Sequence, residues 1–267
     1  MAELRQMGQR RFGRMNWLGL MTLAEREIRR FLNVWSQTLL APLITAGLLL
    51  LVFHLAIGPR RGEVMGVPYI IFIAPGLMMM TVIQNAFANA SSSILSAKVQ
   101  GNIVDTLMPP LSPFELVAGY ALGAVARGAF VAVVMALGIV VFFGQGITHP
   151  LWLVGFVIAG GAFMGGLGIC ASLFAAKFDQ LSAITNFIIT PLAFLSGTFY
   201  SVQDMPPVMQ LLSHINPFFY IIDGGRFAVI GQSDSSPVLG LAIVVASALA
   251  VLGLCWRWFK TGYRMKP

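Results

Sequence analysis

Leu195 to Phe227 reads LSGTFYSVQDMPPVMQLLSHINPFFYIIDGGRF and does not behave like the sequence around it. It is apolar enough for a bilayer, yet Met205-Pro206-Pro207 and Asn216-Pro217 interrupt it. A proline lacks the N–H of an interior helix bond and disfavours helix in the residue before it. Val208 to Ile215, between the breaks, is far short of the ~20 residues a helix needs to span a bilayer. The pattern predicts two short broken helices that dip into or lie on one face of a membrane, with Asp223-Gly224-Gly225-Arg226 ending the stretch. Irregular backbone is not tolerated against lipid, so such a piece must be buried against protein or line a wet cavity.

The rest of the chain reads as the scaffold for this piece. Of 267 residues, 57% are apolar and 10% charged, and the mean hydropathy is +0.82. Soluble domains carry about 25% charged residues, so this is an all-α integral membrane protein forming one transmembrane domain over 1–267. Six spans are expected: Thr38 to Ile57, Val67 to Ser93, Pro113 to Phe143, Pro150 to Ala176, Leu181 to Tyr200 and Pro237 to Phe259. The broken segment, 204–226, falls between the fifth and the sixth. The first 35 residues do not read as a signal peptide. From Trp17 to Trp35, Met21, Ala24, Ile28 and Phe31 recur at helical spacing, with Glu25, Arg26, Arg29 and Arg30 opposite. Glu25 precedes Arg29 by four residues, the favourable order for a helical ion pair. This predicts a helix lying in the membrane interface.

Charge sets orientation. With a cytoplasmic N-terminus, thirteen of the seventeen Lys and Arg residues lie inside and three, Arg60, Arg61 and Arg226, outside, which places both termini in the cytoplasm. The net charge of +7 then reflects topology and anionic head groups rather than nucleic acid. The seventeenth cation, Arg127, falls inside the third span and must face protein or water. Its candidate partners are helix ends or a carboxylate such as Asp223, and it reads equally as an interhelical latch or a cargo contact. Gln84, Asn85 and Asn89 in the second span and Asn186 in the fifth either bond between helices or border a pathway. Small-residue stripes, Gly119-x-x-x-Gly123 and Gly161-x-x-x-Gly165, allow close helix approach within or between subunits. Cys170 and Cys255 read as packing residues.

Between the second and third spans, 95–112 carries SAKVQGNIVDTLMPPLS from Ser96. Asn102 is a candidate cap for a short helix, Ile103 to Met108, stopped by Pro109-Pro110. Ser112-Pro113-Phe114-Glu115 is a helix start with a capping box. The loop is a rigid element that either transmits force from a partner or simply connects. Several function classes find no support. The sequence has no glycine-rich phosphate loop, no HExxH, no Ser/His/Asp or Cys cluster, and no carboxylate near the middle of a span. No catalytic, cofactor-binding or metal-binding residue is assigned.

In order along the chain, Phe72-Ile73-Ala74-Pro75-Gly76-Leu77-Met78, Ala118-Gly119-Tyr120, Val125-Ala126-Arg127-Gly128 and Thr190-Pro191-Leu192 resemble the ABC-2 type permeases of bacterial inner membranes. Ser196-Gly197-Thr198-Phe199-Tyr200-Ser201, Pro206-Pro207, Leu212-Ser213-His214-Ile215-Asn216-Pro217 and Gly225-Arg226-Phe227 continue the likeness, which is closest to the short-loop export permeases. The resemblance implies a pair of permease chains, here a homodimer, and two ATP-binding cassette subunits that carry ATP and magnesium on the cytoplasmic side. It implies a coupling role for Lys98, Gln100, Asn102, Ile103, Asp105 and Leu107, with Glu25 and Arg29 of the interfacial helix. Gln84, Asn85, Asn89, Asn186, Pro206, Pro207, Asn216 and Pro217 are the pathway and gate candidates, and Arg127 is the buried charge. The expected function is ATP-driven export of an amphiphile: a lipid, a lipid-linked glycan or a drug. A polysaccharide-export permease is the alternative within transport, and an ATPase-independent channel or membrane scaffold is the alternative outside it.

Overall fold

The computed structural model describes residues 15–56, 58 and 62–263. The expected basic tail (Arg5, Arg10, Arg11, Arg14), Ile57, Arg60, Arg61, Arg264 and Lys266 lie outside the described residues, as does the Leu107 side chain. Among the described residues, six helices are long and apolar enough to cross a membrane. In chain order the elements are α1 (Trp17–Leu32), α2 (Ser36–Ala56), a two-stranded hairpin of β1 (Glu63–Val64) and β2 (Val67–Pro68), and α3 (Tyr69–Val99). They continue with α4 (Ile103–Leu107), α5 (Pro113–Phe143), α6 (Pro150–Phe174), α7 (Phe178–Leu195), α8 (Pro207–Ile215), α9 (Pro217–Ile230) and α10 (Pro237–Thr261).

The core is α3, wrapped by α5, α6 and α9, with Phe72, Ile73, Met78, Ile83, Phe156 and Phe219 fully buried. Lipid tails are as apolar as leucine, so close packing through small residues, rather than escape from water, holds such helices together. The glycine stripes serve this purpose within the chain. Gly119 and Gly123 receive Leu23 and Glu27 of α1, while Gly161 and Gly165 receive Val125 and Ala124 of α5. In contrast, α2 and α7 are largely exposed along apolar faces, and each contains a π-helical turn, at Ser36–Leu40 and Thr185–Ile189.

Three expectations are corrected. The second span does not begin at Val67. Met65 and Gly66 both adopt positive φ (53° and 75°), which makes the two-residue turn that suits a right-twisted hairpin, so the helix starts at Tyr69. The fifth span starts at Phe178 and stops at Leu195, not Tyr200, because Gly197 (φ 77°) turns the chain. Gly224-Gly225 do not end a helix. They lie inside α9, which runs from Pro217, capped by the Asn216 side chain on Phe218 N (3.1 Å), to a left-handed Gly231. A Cβ at Gly224 would fall inside the Phe156 ring and one at Gly225 on the Met79 side chain, so the two glycines let α9 wedge between α6 and α3. The interfacial helix α1 buries Leu20, Leu23, Ala24, Glu27 and Phe31 against α5 and leaves Trp17 and Met21 of the expected membrane-facing stripe exposed.

Candidate functional site

At one end of the bundle, α1, the lower end of α3 and the short α4 form a polar plate. The α1 start is fixed twice. The Asn16 side chain accepts from Gly19 N (2.9 Å), and Asn16 N donates to the Glu115 carboxylate (2.7 Å). That carboxylate also closes the expected capping box, accepting from Ser112 N (2.6 Å) while Ser112 Oγ accepts from Glu115 N (3.3 Å). Glu27, fully buried, accepts from Ser93 Oγ (2.7 Å) and pairs with Arg26 (3.2 Å) and Arg30 (3.3 Å). Arg26 also donates to Thr106 Oγ1 of α4 (3.3 Å). The sequence reading missed Glu27; its three-residue offset from Arg30 on a helix was the available signal.

Five of the expected coupling residues converge here. Glu25, Arg29, Gln100, Asn102 and Asp105 line one polar groove of about 710 Å³ between α1 and the α4 loop. Arg29 and Glu25 form the expected exposed ion pair (2.5 Å). Lys98 and Ile103 do not line it. Ile103 is buried, whereas Val99, Val104 and Met108 are exposed. Asn102 occupies the N-cap position but its side chain makes no capping bond, and the helix it precedes stops at Leu107. Lys98 points into the chain and donates to the carbonyls of Ser172 (3.0 Å), Leu173 (3.1 Å) and Ala175 (3.0 Å), satisfying the free carbonyls that end α6.

Within the spans, Arg127 donates through Nε (3.2 Å) and Nη2 (3.1 Å) to Asn85 Oδ1, not to Asp223. Asn85 Nδ2 donates to Thr81 O (3.0 Å). One turn away Arg30 donates to Ser92 Oγ (3.0 Å) and Asn89 Oδ1 (3.1 Å). Gln84 is half-buried on α3, and Asn186 is exposed on α7, apart from this group. Cys170 and Cys255, free thiols, meet at 3.4 Å between α6 and α10.

At the opposite end, fully buried Arg226 organises the broken segment. It pairs with Asp223 and Asp234 (3.5 Å each), donates to Gly197 O, and lies 4.1 Å over the Phe72 ring. Asp223 accepts from Asp234 N (2.8 Å) and from Ser235 N and Oγ (2.9 and 2.8 Å), and Asp234 accepts from Val202 N (3.0 Å). Burial pushes the Asp223 carboxyl up from its ordinary value, and Arg226 opposes that push. This Arg, expected among the outside cations, is therefore an internal post joining the loops after α7 and α9. Of the gate candidates, Pro206 and Pro207 are exposed at the start of α8, Asn216 is buried and donates to Ser196 Oγ (2.9 Å), and Pro217 opens α9. Val208, Leu211, Leu212 and Ile215 form an exposed apolar stripe on α8.

Residues 19–230 match the ABC-2 type transporter family. The chain belongs to that family. As an ABC-2 permease it is 38% identical to "Inner membrane transport permease YadH" of Escherichia coli K12 over 247 residues, 92% of this chain and 96% of that protein. It is 26% identical to "Nodulation protein J" of Rhizobium leguminosarum bv. viciae over 241 residues, 87% of this chain and 89% of that one. The ABC-2 permease is thus a multi-pass membrane protein and a transport subunit, and the family implies association with ATP-binding cassette partners.

Proposed function

We propose that this permease is the membrane subunit of an ATP-driven exporter in a bacterial inner membrane, with both termini in the cytoplasm. Two copies pair, and two ATP-binding cassette subunits dock on the plate built from α1 and α4. The reading rests on one observation: residues from two separate segments, Glu25 and Arg29 on α1 and Gln100, Asn102 and Asp105 beside α4, face a single groove. Val104 and Met108 add an exposed apolar anchor beside it, the combination of polar rim and apolar centre that suits a protein partner. The plate is fastened to the spans by buried charged groups. A push from the partner therefore moves α1, α3 and, through Lys98, the end of α6. Spans α2, α3 and α7 then open a path for an amphiphilic cargo, a lipid, lipid-linked glycan or drug, gated by α8 and α9. The similarity to an inner membrane transport permease supports the compartment and the transport role.

Extraction of the tagged chain from its native membrane in mild detergent tests this. A stoichiometric ATP-binding cassette subunit is expected with the native chain. It should be lost from the Asp105→Arg/Met108→Glu double variant, whose melting temperature stays unchanged because both positions are exposed. A chain that brings no ATPase in several detergents, or a double variant that brings as much as the native chain, contradicts the proposal.

A further inference from the structure

We propose that Cys170 and Cys255 form a redox-responsive modification site. A hydroperoxide that reaches them through the bilayer converts the two thiols into a disulfide, which fastens α10 to the plate end of α6. The bridge halts coupling to the partner, a consequence that rests on the exporter reading; the bridge itself does not.

The helix packing holds the pair in register. Three successive contacts follow one another in the same order along α6 and α10, so the two helices run parallel there. At the first, a Cβ on Gly166 would lie 2.8 Å from Val251 Cγ1, so the missing side chain is what lets α10 come close. Four residues on along each helix, the free thiols of Cys170 and Cys255 face each other with their sulfurs 3.4 Å apart. One turn further, the Phe174 and Trp258 rings meet edge to face, 5.4 Å between centroids. Residues three or four apart share a helix face, so the thiols are clamped between a close approach on one side and a ring contact on the other. The sulfurs must close by about 1.4 Å to reach the ~2.05 Å of a disulfide, a shift that side-chain rotation can cover.

Burial assigns the two roles. Cys255 is fully buried and donates to Gly166 O (3.3 Å), while Cys170 is half-buried, so Cys170 is the thiol that an oxidant meets first. It lies within a span, so an uncharged oxidant that dissolves in the bilayer reaches it and a charged one does not. Cys170 Sγ attacks a peroxide oxygen. The S–O bond forms, the O–O bond breaks, and the thiol proton leaves with the departing oxygen as water or an alcohol. Cys255 Sγ then attacks the Cys170 sulfur. The S–S bond forms, the S–O bond breaks, and the hydroxyl takes the Cys255 proton away as water. The two thiols lose two electrons and one peroxide gains them.

The position gives the bridge its consequence. Just past Cys170, Lys98 of α3 holds the carbonyls of Ser172, Leu173 and Ala175. A bridge to Cys255 ties α10 to that joint, through which a push on the plate reaches α6. In the proposed orientation this end is cytoplasmic, where thiols are kept reduced, so the bridge forms under oxidant load and is undone afterwards.

The test treats native membranes holding the tagged full chain with cumene hydroperoxide, then denatures the chain and counts its thiols by maleimide labelling and intact mass. The chain has two cysteines, so loss of both thiols in a monomer identifies this bridge. The native chain should lose both thiols and two hydrogens, and dithiothreitol should restore them. Cys255→Ser should carry a dimedone-reactive sulfenic acid at Cys170, and Cys170→Ser should keep its thiol. Glutathione disulfide, which is charged, should leave the native chain reduced. Two surviving thiols, bridges between chains, sulfinic acid in place of the bridge, a sulfenic acid in Cys170→Ser instead of Cys255→Ser, or equal reaction with glutathione disulfide each overturns the proposal. The halt is read on the complex with the cassette partner. The hydroperoxide should remove most of its ATPase activity, dithiothreitol should return it, and the Cys170→Ser/Cys255→Ser complex should be unaffected. Equal inhibition of both complexes, or inhibition of neither, overturns the halt. The thiol count needs no ATPase. A chain that brings no cassette partner would overturn the exporter reading and leave the bridge standing, and a chain that stays reduced would overturn the bridge alone.

Discussion

Arg226→Met removes the one cation that two buried carboxylates share. In the native chain Arg226 lies 3.5 Å from both Asp223 and Asp234, caps Gly197 O and covers the Phe72 ring. Methionine keeps much of the volume, so the change is chiefly electrostatic. Breaking a buried pair by removing one partner costs about 3–5 kcal/mol. Asp223 keeps three donors, from Asp234 N and from Ser235 N and Oγ, which places the expected loss near the lower end, about 3 kcal/mol. Thermal melting of the detergent-solubilised chain measures it. The sign of the pH dependence follows. Burial already holds the folded-state Asp223 carboxyl above its unfolded value, and losing Arg226, which opposes that, raises it further. Between the unfolded and the raised folded pKa the native state binds more protons than the unfolded state, so stability falls as pH rises through that window. The variant should therefore regain stability on acidification relative to the native chain, and Asp223→Asn/Arg226→Met/Asp234→Asn should recover most of the loss at neutral pH. A variant that melts with the native chain, or a deficit that does not shrink on acidification, would refute the claim that this pair holds the loops after α7 and α9 together.

Two further outcomes follow from the same geometry. Gly224→Ala drives a methyl into the Phe156 ring and Gly225→Ala drives one onto the flexible Met79 chain. Overpacking costs about 1–3 kcal/mol against a helix-propensity gain of about 1 kcal/mol, so Gly224→Ala should melt well below the native chain and Gly225→Ala nearer to it. Equal melting of the two variants would show that α9 is not wedged as described. Asn85→Asp places a carboxylate within bonding distance of Arg127 and should raise the melting temperature; a destabilised variant would mean that Arg127 is already compensated.

The spans were legible because a bilayer imposes length and hydropathy, and helix ends such as Ser112-Pro113-Phe114-Glu115 carry local chemistry that the structure reproduces bond for bond. What the sequence hid is what depends on a neighbour. Gly224-Gly225 looks like a helix stop because glycine weakens helices locally, but the reason for both glycines is the approach of Phe156 and Met79 from other elements. Arg226 looked like a surface cation because its carboxylate Asp234 sits beyond the stretch in which Arg226 was read. Periodicity marked the apolar stripe of α1 meant for the membrane but not the face packed on α5, which includes Glu27, bonded to Ser93 and paired with Arg26 and Arg30. In the loop at 95–112, the family resemblance marked Lys98 as a contact for a partner, yet three carbonyls at the end of α6 use its ammonium. That Glu25, Arg29, Gln100, Asn102 and Asp105 line one groove depends on how α1 packs beside the loop, which the sequence alone did not show.

Site-specific photo-crosslinking in the native membrane tests the central claim most directly. A photoreactive residue replaces exposed Met108 at the plate or exposed Leu211 on α8 at the other end of the bundle. The account predicts an adduct with an ATP-binding cassette subunit from position 108 and none from position 211. An adduct from 211, or no ATPase adduct from either, would contradict it.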